Sequence, residues 1–319
     1  MSVIGLLPVD SKFPNLALMK LSAWHKAKGD KVDFVERLEC NPDVVYVSCI
    51  FTWNRSQALG LSSLFPDSKV VFGGSGVSLS TVLPDEVEHI RPDYDLYPID
   101  FSMGFTSRGC LRKCKFCLVP EKEGCIRDHS PLSEILDPSH NKALFLDNNV
   151  LASPSWRKTF SDIEESGIKA DFNQGLDIRL VDEEKAKILA GLNLYGYPEW
   201  NRKTLRFAFD NPREAPAVKR GVELLLDAGV KPYQLFCYVL VGFDTTQQQD
   251  KERLDLLKSY GVRPYIMRYN NIQSQYYIDT ARFYNRGYYQ FMTREEYRAK
   301  PELNEGQSQL ITVEEMCKV

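Results

Sequence analysis

No window of this 319-residue sequence approaches the roughly 20 consecutive apolar residues that a membrane-spanning helix requires, so no span is expected. Long runs of like charge are also missing. Forty Lys and Arg stand against 43 Asp and Glu, a formal net charge of −3, and that balance does not by itself call for a nucleic-acid partner. The opening MSVIGLLPVDSKF has no basic flank before its short apolar stretch and no small-residue cleavage pattern after it, which sets the expectation of a cytoplasmic protein. With 43% hydrophobic and 26% charged residues, a large disordered fraction is not expected. The length exceeds that of one small domain and leaves room for two cores or one large α/β barrel.

What the sequence does contain is alternation. Apolar runs at 3–7, 32–35, 44–50 and 69–72 alternate with helical spacing at 16–28 and 56–65, the order expected of βαβ units around a parallel sheet. This predicts a Rossmann-like (flavodoxin-like) domain over residues 1–98, with 92–98 as its exit linker. A second series follows. Strands are expected at 104–107, 143–146, 170–173, 204–209, 234–241 and 263–268, with helices at 132–136, 155–165, 182–190, 215–227 and 246–259. Gly167, Gly191, Gly229 and Gly261 fall at or just past helix ends. Six such units predict a (β/α)6 partial barrel over 99–270, in which functional groups gather at the C-terminal ends of the strands. The aromatic and Arg-rich residues 271–319 are expected to form a C-terminal helical cap, with base stacking on nucleic acid as the weaker reading of the same residues.

Three of the eight cysteines stand close together in Ser107-Arg108-Gly109-Cys110-Leu111-Arg112-Lys113-Cys114-Lys115-Phe116-Cys117, directly after the first strand of the second series. Three thiolates on one loop suit three irons of a cubane and leave a fourth iron open. Zinc is the competing reading, with Cys125, His129 or His140 as a fourth ligand. Arg108, Arg112, Lys113 and Lys115 favour the thiolate forms. Cys40, Cys49, Cys125, Cys237 and Cys317 are scattered and read as buried small apolar residues. No second cysteine set for an auxiliary cluster is present.

Cys110, Cys114, Phe116 and Cys117 match the Cys-x-x-x-Cys-x-x-Cys signature, with its aromatic before the last Cys, and on these residues the chain resembles the radical S-adenosylmethionine superfamily. The resemblance implies a 4Fe-4S cluster on Cys110, Cys114 and Cys117, and chelation of S-adenosylmethionine at the open iron. It further implies reductive cleavage to methionine and a 5′-deoxyadenosyl radical, hydrogen abstraction from an unidentified substrate, and an electron donor such as flavodoxin or ferredoxin. Position by position it suggests Phe116, Asp147, Asn148, Asn149, Gln174, Arg179, Asp210 and Val241 as cofactor-binding residues. Asp147, Asn148 and Asn149 would lie near the methionine amino group, Arg179 near its carboxylate, Gln174 and Asp177 near the ribose or substrate, and Val241 along the adenine. No catalytic residue acting on substrate is assigned.

The N-terminal domain, with Gly73-Gly74-Ser75-Gly76, resembles the cobalamin-binding subgroup, which makes cobalamin a further candidate cofactor and cobalamin-dependent methyl transfer an alternative activity. The subgroup's Asp-x-His-x-x-Gly pattern is absent, since the corresponding loop reads Asp10-Ser11-Lys12-Phe13-Pro14-Asn15. A non-catalytic module stabilised by metal is the remaining alternative.

Overall fold

The structure is a computed structural model that describes residues 1–10, 13–300 and 303. Its described chain is mixed α/β, built on parallel sheets in two compact units, one through Asp147 and one from Asn148.

In the first unit, β1 (Val3–Pro8), β2 (Lys31–Phe34), β3 (Val44–Ser48) and β4 (Lys69–Gly73) form a parallel sheet in the order β2-β1-β3-β4. Helix α1 (Leu16–Ala27) starts at Asn15, whose side chain accepts from the Leu18 N–H at 3.1 Å and donates to Ser48 Oγ at 2.8 Å, fixing the helix start to the end of β3. Short helices α2 (Arg55–Gly60) and α3 (Asp85–Glu88) follow. Residues 92–98, expected as a linker, place Tyr94 and Leu96 in the core. The Tyr94 hydroxyl donates to Ile135 O at 2.6 Å and accepts from the Met103 N–H at 3.0 Å, so the segment is bound rather than loose.

Beyond it, β5 (Ser102–Gly104) pairs in parallel with β8 (Lys142–Phe145), and between them lie the two-residue antiparallel strands β6 (Ser107–Arg108) and β7 (Arg127–Asp128) with short helices α4 (Val119–Lys122) and α5 (Leu132–Ile135).

The second unit contains α6 (Trp156–Ser166), β9 (Lys169–Phe172), α7 (Glu183–Gly191), β10 (Leu205–Ala208), α8 (Ala215–Asp227), β11 (Leu235–Val241), α9 (Gln247–Ser259), β12 (Arg263–Arg268), α10 (Gln275–Asn285) and α11 (Arg294–Arg298). Its sheet runs β10-β11-β12 in parallel, and all seven residues of the middle strand are buried, as a strand covered on both faces requires. Thr246 and Gln249 form a reciprocal cap at the start of α9. Gly167, Gly229 and Gly261 adopt positive φ, whereas Gly191 closes α7 without it. Of the C-terminal aromatics, Tyr277, Phe283, Tyr284, Tyr289 and Tyr297 are buried and Phe291 is exposed. Cys317 lies outside the described residues.

No described helix is long and apolar enough to cross a membrane.

Candidate functional site

The cysteine loop is closed at its base by the pairing of β6 with β7, Ser107 opposite Asp128 and Arg108 opposite Arg127. Inside that closure Gly109 takes φ +81°, and a side chain there would bring Cβ to 2.2 Å from the Cys125 carbonyl oxygen, so only glycine lets the two backbones meet. The Cys110 N–H donates to Gly124 O at 3.2 Å, and the Cys117 N–H donates to Cys114 O at 3.0 Å, which folds Cys114 and Cys117 into one turn. The Arg112 N–H points at Cys110 Sγ at 3.3 Å, a contact that stabilises charge on sulfur. All three thiols are partly exposed. Phe116 is half-buried beside Cys117.

Asp147 supports this base from the end of β8. Its carboxylate accepts the Thr106 N–H (3.0 Å), the Thr106 hydroxyl (2.6 Å), the Ser107 N–H (2.6 Å) and the Ser107 hydroxyl (2.7 Å). Burial raises its pKa, and those four donors counteract the rise. The side chain suggested for the methionine amino group is therefore engaged in holding the chain two residues before Gly109.

Arg108 also turns away from the thiols. Its guanidinium lies over the Phe105 ring, 4.0 Å from the centroid, and binds Glu88 at 2.5 Å and Glu123 at 2.9 Å. Of the candidate zinc histidines, His129 Nε2 binds Glu88 at 3.0 Å and His140 Nδ1 bonds to Ser102 Oγ at 3.1 Å, which occupies one ring nitrogen of each. Among the described residues no group of three or more His, Cys, Asp or Glu side chains converges as the ligands of one ion. Thiolates of a cubane bind separate irons, so they gather around one cluster rather than on a single ion. The donor set fits a cluster in its chemistry: three accessible sulfurs on one loop, a backbone N–H aimed at one of them, and cationic residues alongside.

In the second unit, Asn149 Nδ2 donates to Asp177 at 3.2 Å, Asp177 accepts Arg179 Nε at 2.6 Å, and Arg179 continues to Glu214. This string unites two of the expected cofactor residues, Asn149 and Arg179, through Asp177. Glu214 had no signal in the sequence. Asp210 is half-buried, and its desolvation raises its pKa to about 6 against the Leu240 N–H it accepts at 2.9 Å and the nearby Arg253 charge. Gln174 donates to Asn173 at 3.3 Å, Val241 is buried at the end of β11, and Asn148 is half-buried.

The remaining cysteines divide. Cys49 and Cys237 are buried, with burial pushing the Cys49 thiol up to about 11 and Cys237 well above its ordinary value. Cys40 and Cys125 are exposed, contrary to the apolar reading, because each lies in a loop rather than on a strand.

The glycine-rich turn after β4 also has an internal explanation. Gly74 has φ +92° and a Cβ there would lie 2.2 Å from Cys49 O, so the turn needs glycine to pass the β3 end whether or not a nucleotide binds. Asp10 accepts the N–H groups of Ile50 and Phe51 at 3.0 and 2.7 Å, which ties the loop after β1 to the one after β3.

Neither a scan of protein-family models nor a search of curated proteins finds a match for the chain.

Proposed function

We propose that this protein is a radical S-adenosylmethionine enzyme. The observation that carries the reading is the cysteine loop: Cys110, Cys114 and Cys117 are partly exposed together on one loop, which is closed at its base by the β6–β7 pair. With a 4Fe-4S cluster bound by these three residues, S-adenosylmethionine chelated at the remaining iron would be cleaved reductively to methionine and a 5′-deoxyadenosyl radical.

The chain's own residues do the positioning. Asp147 fixes Thr106 and Ser107, Gly109 permits the backbone crossing at Cys125, and the Cys114 to Cys117 turn sets the spacing of two sulfurs. The Arg112 N–H donates to Cys110 Sγ. In the second unit, Asn149, Asp177, Arg179 and Glu214 form a polar string suited to an amino acid or ribose.

Anaerobic reconstitution with iron and sulfide tests the ligand assignment. The expected product holds about four irons per chain, and Cys110→Ala, Cys114→Ala or Cys117→Ala each abolishes the broad visible absorption of the cluster. Stoichiometric zinc with no iron uptake would replace this reading with that of a metal-stabilised module.

A further inference from the structure

The first unit holds a cavity that the cysteine loop does not explain. One face of its sheet, bearing Val45, Val47, Val70 and Phe72, is filled by Ala58, Leu61 and Phe65. The opposite face, where Tyr46 pairs with Val71 and Ser48 with Gly73, is covered by α1 at one side. After β4, residues 74–84 form neither helix nor strand, so no second helix completes the cover. A cavity of about 800 Å³ remains between α1, the C-terminal ends of β3 and β4, residues 81–89 and residues 122–129. Such a volume suits a drug-sized molecule, and the carboxyl ends of parallel strands are where open α/β sheets place ligands.

The walls differ in character. Leu21, Trp24, Val71 and Leu83 supply an apolar side, while Lys20, Arg108, Lys122 and Arg127 face the same space from elsewhere. Two carboxylates beside these cations, Glu88 and Glu123, are already engaged. Glu88 Oε1 accepts Lys20 at 3.1 Å, Arg108 at 2.5 Å and His129 at 3.0 Å, and Glu123 accepts Arg108 at 2.9 Å. Lys122 is the cation left over. Its ammonium forms no hydrogen bond or ion pair with a described residue, although the side chain is half-buried and burial lowers its pKa. A desolvated ammonium without a bonded counter-charge is costly, and an anion entering the cavity would relieve that cost.

We propose that this cavity binds a small amphipathic anion, its apolar or aromatic body seated against Leu21, Trp24, Val71 and Leu83 and its carboxylate or phosphate held by Lys122. The site does not depend on the iron–sulfur reading. Because Lys122 ends α4, which begins two residues after Cys117, an occupant would also contact the element that follows the cysteine loop.

Two fluorescent dyes with one skeleton test the idea on the full chain, without iron or S-adenosylmethionine. 8-Anilinonaphthalene-1-sulfonate carries an anion and N-phenyl-1-naphthylamine does not. The sulfonate is expected to bind saturably and about tenfold more tightly than the uncharged dye, the size of one charge-assisted hydrogen bond. Lys122→Met, at an unchanged thermal midpoint, should remove that tenfold preference, Lys122→Arg should restore it, and Leu83→Trp should displace both dyes by filling the cavity. Competition by indole-3-acetate or by phenyl phosphate then identifies which anionic head the site prefers. Equal affinity for the two dyes, an unchanged preference in Lys122→Met, or dye binding that survives Leu83→Trp would overturn the proposal.

Discussion

At the scale of single residues, the cysteine loop depends on two groups that are not cysteines. Gly109 cannot accept a side chain without displacing the Cys125 carbonyl, and an L-residue at its φ would cost about 1–2 kcal/mol before the clash is counted. Gly109→Ala is therefore expected to lower iron uptake on reconstitution sharply while all three thiols remain present, read as iron per chain. Asp147→Ala removes the acceptor of four donors at the loop base and leaves two buried backbone N–H groups without it. A loss of at least about 3 kcal/mol is expected, measured as a shift of the denaturant midpoint at constant slope. The grouping of the three cysteines was legible from spacing alone, but this role of Asp147 was not, because its partners lie 40 and 41 residues upstream and no local pattern joins them.

At the scale of elements, the apolar runs mark the strands well because a parallel strand covered on both faces has to be apolar throughout. Strand β12 spans 263–268 and α8 spans 215–227, both as read from the sequence, and the other long elements differ by one to a few residues at their ends. The failures are short or long-range features. The β6 and β7 pairing involves two residues on each side, too few for any periodicity to register. Residues 92–98 have the turn composition of a linker, yet Tyr94 binds Met103 and Ile135, partners that only the fold supplies.

Arg253 is a further case. From α9, it donates to Phe209 O at 2.5 Å, Leu240 O at 2.8 Å and Asp250 Oδ1 at 2.5 Å, joining the ends of β10 and β11 to the helix while 2% exposed. Arg253→Met leaves Asp250 buried without its cationic partner, with the Thr245 hydroxyl and Gly242 N–H still donating to it, and is expected to cost about 3–5 kcal/mol, again read from the denaturant midpoint.

At the scale of the whole molecule, half-buried carboxyls in the two units set opposite responses to pH. Burial alone would raise the Glu88 pKa, but His129, Arg108 and Lys20 outweigh it and hold the carboxyl well below its ordinary value. Its contribution is present above the unfolded pKa of about 4.3 and is lost as pH falls below that toward the depressed folded value. Asp210 runs the other way. Its pKa of about 6 is raised by burial, so its contribution is present below the unfolded value of about 3.9 and is lost as pH rises through 6. Unfolding midpoints measured across pH should show a weaker acid limb in Glu88→Gln and a weaker decline between about pH 4 and 7 in Asp210→Asn. Neither charge network was visible in the sequence, since Glu88 collects partners from positions 20, 108 and 129.

The most direct measurement is of 5′-deoxyadenosine, formed when the anaerobically reconstituted protein is mixed with S-adenosylmethionine and dithionite. The proposed function predicts its accumulation with the wild-type chain and none with Cys114→Ala. A wild-type protein that carries a reducible four-iron cluster, binds S-adenosylmethionine and still yields no 5′-deoxyadenosine would contradict it.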